Sequence, residues 1–163
     1  MDAALNKVVI HCKGLIFDDA GRLLLIKQAE WFGTYWNAPG GRMEAGDTLE
    51  SCLAREVKEE TGLIVESAQL VYSHSWVSPG YTDIYMGFHV SKFSGELGVG
   101  TSLTDSEQDE FLETRFVGID EQLEEPLFPD GLWDVAKQSH AGTLDGVHYL
   151  GTGSTDGTGF LAR

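Results

Sequence analysis

Apolar positions fall along this chain in two different periods. "KVVIHCKGLIF" (7–17) and "RLLLIKQ" (22–28) are short runs rich in aliphatic residues, and the connector "DDAG" between them is turn chemistry, so the pair predicts a β-hairpin. "LIVESAQLVYSHSWV" (63–77), "YTDIYMGFHVSKF" (81–93) and "FLETRFVGI" (111–119) predict further strands, separated by a turn at "SPG" and by the acidic loop 101–110. Between 48 and 61 the period becomes helical. At about 100° per residue, Leu49, Cys52, Leu53 and Val57 make one apolar stripe. Asp47 as N-cap with Glu50 three residues on predicts the start of this helix, and Gly62 predicts its end. A second helix is expected over 131–140. The stretch "AEWFGTYWNAPGG" (29–41) reads as a glycine- and aromatic-rich loop, and the chain from 146 on, with "GTGSTDGTG", as a flexible tail. Strands interrupted by a few helices imply an α/β sandwich, and with no repeat or long linker the expectation is a single domain over 1–163.

The helix raises a chemical question, because Glu56 and Glu60 fall within about 40° of the centre of its apolar stripe, with Glu59 on the flank. Two readings are open. Glu59 can pair with Arg55 one turn earlier while the other acids reach the rim of the helix. Alternatively, three acids in the C-terminal half of a helix, where the dipole is already negative, call for a positive charge among them. A hard divalent cation meets that need, since Mg²⁺ prefers carboxylate oxygens and residues at i, i+3 and i+4 can converge on it.

Composition narrows the setting. A chain of 163 residues with 42% hydrophobic and 10% aromatic positions has enough apolar material for a core of its own. No apolar run reaches the length of a membrane span, and "MDAALNKVVIHCKG" lacks the long apolar centre of a signal peptide, so a cytoplasmic protein without a membrane partner is expected. Cys12 and Cys52 stand in no metal-binding spacing and suggest no disulfide. The net charge of −15 would repel polymeric nucleic acid and anionic lipid. A small polyphosphate is still compatible with it where a metal ion dominates the local field.

The stretch 41–63 resembles the signature of the Nudix hydrolases. That pattern is Gly, five residues, Glu, seven residues, Arg-Glu, an aliphatic, any residue, Glu-Glu, any residue, Gly and an aliphatic. Gly41, Arg55, Glu56, Val57, Glu59, Glu60, Gly62 and Leu63 match it, and Asp47 stands where the family usually has Glu. The resemblance implies an α/β/α sandwich with a mixed β-sheet. It also implies Mg²⁺ or Mn²⁺ held by Glu56, Glu59, Glu60 and the Gly41 carbonyl, with Arg55 pairing to the glutamates. Water attack on a phosphoric anhydride needs a base, which could be Glu56 or an acid of the late loop, where Glu107 and Glu110 are the candidates.

Substrate choice is read from the segments that flank the signature. Pro79, sixteen residues beyond Leu63, resembles the proline-bearing segment of ADP-ribose pyrophosphatases, which points to a small nucleoside diphosphate derivative. The paired glycines of "NAPGG" and the short segment before the signature resemble triphosphate-cleaving members instead. Trp36 and Tyr35, with Trp31 and Phe32, could stack on a base or cover the core, and Tyr81 and Tyr85 are open in the same way. Arg42, Pro79 and Tyr81 complete the expected substrate-binding set. A non-catalytic nucleotide-binding module is the remaining functional alternative, and a second copy of the chain, as a homodimer, is the candidate protein partner.

Overall fold

The computed structural model describes residues 7–30, 33–98 and 111–154. In chain order the elements are β1 (Lys7–Ile16), β2 (Leu23–Glu30), β3 (Gly33–Asn37), α1 (Leu49–Thr61), β4 (Ile64–Ser78), β5 (Tyr81–Ser94), β6 (Phe111–Val117), β7 (Leu127–Phe128), α2 (Leu132–His140) and β8 (His148–Ser154). They form two four-stranded mixed sheets, β1-β5-β4-β8 and β6-β2-β3-β7. β5 runs parallel to β1 and antiparallel to β4, and β8 joins β4 in parallel. In the other sheet β2 is antiparallel to both β3 and β6, and β7 lies parallel to β3.

This α/β arrangement corrects three details of the sequence reading. β1 and β2 are not a paired hairpin: a single bridge, Phe17 to Leu23, joins the ends before the strands enter different sheets. The cause is visible in the run 23–26, which is buried on both faces. Leu23 and Leu25 enter a core with Leu15, Tyr72 and the α2 residues Leu132 and Val135, while Leu24 enters a second core with Cys12, Ile16 and the α1 residues Cys52, Leu53 and Val57. A strand with two apolar faces must sit between layers, not at the outside of a hairpin. Residues 33–37, read as loop, form β3 against β2. Part of the expected tail forms β8, where the Trp76 ring packs so closely over Gly153 that a Cβ there would lie 2.3 Å from it.

The first turn of α1 is also shifted by one residue. Thr48, not Asp47, is the N-cap: its hydroxyl accepts the Ser51 N–H at 3.1 Å, and the Ser51 hydroxyl accepts the Thr48 N–H at 2.9 Å. Gly62 ends the helix in the left-handed conformation, as expected. The outer edge of β1 is covered by the segment 39–43, which runs along it through Gly14 N–H to Pro39 O, Cys12 N–H to Gly41 O and Met43 N–H to Ile10 O. Those bonds pin the glycine pair between β1 and α1.

Candidate active site

Two glutamates of α1 meet the glycine pair. Glu60 is buried at 9% exposure and accepts the Gly40 N–H at 2.7 Å. Burial pushes its pKa up to about 7. Glu56 lies against the Cα of Gly41, where a Cβ would come within 2.3 Å of its carboxylate, and burial raises its pKa as well. Glu59 stands further out on the same side. Arg55 ties the outer acids together: one guanidinium nitrogen lies 2.6 Å from Glu56 Oε1 and 3.4 Å from Glu59 Oε2, and the other donates to Asp47 Oδ2 at 2.8 Å and to the Arg42 carbonyl at 3.0 Å. Asp47, released from capping, is therefore the loop's hold on Arg55, and that bond lowers its pKa.

The two glycine carbonyls have separate uses. That of Gly41, expected to face the ions, accepts the Cys12 N–H at 2.9 Å and the Cys52 thiol at 3.6 Å. The Gly40 carbonyl instead accepts from the ammonium of Lys13, a β1 residue only 6% exposed. Gly40 has φ 129°, and a Cβ on it would lie 2.0 Å from the Cys12 carbonyl oxygen, so no other residue fits.

Beside this centre, between the ends of the two sheets, lies a cavity of about 500 Å³. The Pro79–Gly80 turn, Tyr81 and Arg42 border it, and Tyr35, Trp76, Tyr85 and Phe128 supply aromatic walls. His11 and Asp83 form its polar floor: His11 Nε2 lies 2.9 Å from Asp83 Oδ1, and the imidazole stacks on Tyr85 at 4.7 Å. Burial lowers the His11 pKa, which keeps the ring neutral near pH 7. Arg42 links cavity and glutamates, since its carbonyl is bonded to Arg55 and its neighbour Gly41 touches Glu56.

Four of the five expected substrate-binding residues, Tyr35, Arg42, Pro79 and Tyr81, line this one cavity. Trp36 lies outside it, 2% exposed, with its indole N–H donating to Glu125 at 3.1 Å and Arg115 stacked over the ring at 5.1 Å. Glu107 and Glu110, with Trp31 and Phe32, fall outside the described residues. Sequence reasoning missed His11, Lys13, Asp83, Trp76 and Phe128. The signal for the first two was present: polar side chains at 11 and 13 interrupt an otherwise apolar strand.

Fold and site together define an α/β sandwich with a glutamate helix, a glycine loop and an adjoining aromatic cavity. The NUDIX domain model matches residues 11–136, and the chain belongs to the Nudix family. NudC of Mycobacterium tuberculosis, described as an NAD-capped RNA hydrolase, is 37% identical over 75 residues, which is 46% of this chain and 23% of NudC. The phosphatase NudJ of Escherichia coli is 34% identical over 62 residues, 38% of this chain and 40% of NudJ. The match thus spans less than half the length of either relative. Among solved structures, a mutator MutT protein from Bacillus halodurans superimposes with a TM-score of 0.69 at 25% identity, covering 95% of each chain. Among the described residues, no helix is long and apolar enough to cross a membrane.

Proposed function

We propose that this chain is a divalent-metal-dependent hydrolase of the pyrophosphate link in a nucleoside diphosphate joined to a second moiety, of the ADP-ribose or nucleotide-sugar type. The observation that carries the substrate reading is the cavity: its volume and its aromatic walls suit a base or sugar, and Arg42, whose carbonyl is bonded to Arg55, is part of its lining. NudC, described as a hydrolase of NAD-capped RNA, agrees with a diphosphate link between two groups.

The donor set suits Mg²⁺ or Mn²⁺, being oxygen only, although among the described residues no three acidic, His or Cys side chains converge on one point as they stand. Glu56, Glu59, Glu60 and the carbonyl of Gly40, in place of that of Gly41, would hold the ion. When bound, it would supply Lewis acidity to the anhydride oxygens. Arg55 orients Glu56 and Glu59 and anchors the backbone at Arg42. Glu56, whose pKa burial raises, is a stronger base than an exposed glutamate and could accept a proton from water, a role that Glu107 or Glu110 could share. The Pro79–Gly80 turn forms part of the cavity wall, against which the group beyond the diphosphate would rest. A binding module without catalysis would have no need of the full set Arg55, Glu56, Glu59 and Glu60.

The MutT likeness favours a second reading, nucleoside triphosphate cleavage. Chromatography of products from ADP-ribose, nucleotide sugars and nucleoside triphosphates with Mg²⁺ separates the two. The expected outcome is two monophosphates from the diphosphate compounds, with Pro79→Ala lowering their kcat/KM about fivefold to tenfold, roughly 1 kcal/mol, and leaving triphosphates less affected. Equal losses, or much higher kcat/KM on triphosphates, would replace the proposal with the second reading.

A further inference from the structure

Lys13 is a buried cation inside the acidic centre. Lysine is rarely withdrawn from water without partners, and here the partner is a single peptide group used from both ends. The N–H of Gly40 donates to Glu60 and its carbonyl accepts from the Lys13 ammonium. Burial lowers the Lys13 pKa, and Glu60 and Glu56 are the opposite charges that most strongly counter that loss. Arg55 serves the outer acids, Glu56, Glu59 and Asp47. The inner acid, Glu60, has Lys13 behind the Gly40 peptide. Two of the chain's own cations, Arg55 and Lys13, thus partly offset the four acids of the centre, and one of them occupies the Gly40 carbonyl oxygen assigned above to the ion.

We propose that Lys13 is a built-in competitor for the divalent ion: its ammonium holds the Gly40 carbonyl beside Glu60 and must move before an ion can use that oxygen. The inference rests on the metal reading given above. It follows that the free protein binds the ion weakly, and that an ion brought in with an anionic nucleotide gains the charge balance needed to displace Lys13. Removing the ammonium leaves Glu60 uncompensated and Gly40 O open, a better cation site with a less stable empty state.

The test is Mn²⁺ binding without nucleotide, followed by electron paramagnetic resonance of the free ion, in wild type, Lys13→Met, Lys13→Gln and Glu60→Gln. Lys13→Gln keeps an N–H donor for the Gly40 carbonyl and guards against misfolding of the methionine variant. The expected result is Mn²⁺ affinity about tenfold or more higher in Lys13→Met and a smaller rise in Lys13→Gln, which loses the charge but keeps a donor on the carbonyl, together with a larger Mn²⁺-induced rise in Tm than in wild type. Mn²⁺ binding that is lost in Glu60→Gln but unchanged or weakened in both Lys13 variants would overturn the role of Lys13 and leave the metal reading standing. No Mn²⁺ binding by any of the four proteins would overturn both.

Discussion

Glu60 shows at the scale of one residue how the fold trades stability for chemistry. Its pKa is raised by burial from 4.5 to about 7, so the folded state holds the proton more tightly than the unfolded chain does. Stability from this group is complete below pH 4.5 and is lost as pH rises through 7, by at most about 3 kcal/mol. Urea unfolding in a chelator should therefore show the metal-free protein weakening between pH 5 and 8, with a flatter profile in Glu60→Gln; parallel profiles would contradict the assignment. The same variant should lose most metal-dependent turnover while keeping its circular dichroism spectrum. The neighbouring glycines make a second contrast. Alanine at 40 meets backbone at 2.0 Å and a left-handed φ, and should cost several kcal/mol or prevent folding, on the order of other strained core sites. Alanine at 41 meets the flexible end of Glu56, so its loss should appear in metal binding and turnover far more than in Tm.

At the scale of elements, α1 was readable because its information is local. A spacing of 3.6 residues placed Glu60 among Cys52, Leu53 and Val57, and all four are buried. Its start was misplaced by one residue because Asp47 and Thr48 are both good caps, and only the fold shows that Asp47 is bonded to Arg55. Thr48→Ala should consequently cost about 1 kcal/mol in urea unfolding with turnover intact. Asp47→Ala should instead lower turnover by loosening Arg55; equal behaviour of the two variants would reverse the roles. β3 was missed because "GTYWN" sits in a glycine- and aromatic-rich stretch whose pairing with β2 is a tertiary matter.

Across the whole molecule, the net charge of −15 stands against the anionic nucleotide proposed as substrate. Arg42 and Lys7 at the cavity counter it only locally. A small dinucleotide should be cleaved with higher kcat/KM than a capped RNA of the same terminal chemistry, and the gap should narrow as salt rises from about 20 to 200 mM, because screening weakens repulsion of the longer anion. A gap that widens with salt would mean the RNA is attracted, not repelled. The sequence by itself determined the strands 64–78, 81–94 and 111–117 to within a few residues, the two helices, and the inward acids of α1, since each depends on periodicity within one segment. Tertiary structure alone decided that β1 and β2 part into separate sheets, that Lys13 reaches the Gly40 carbonyl, and that His11, Asp83 and Phe128 share a cavity with Pro79. Those outcomes depend on which apolar face finds which layer, a choice made by the packing of segments far apart in the chain.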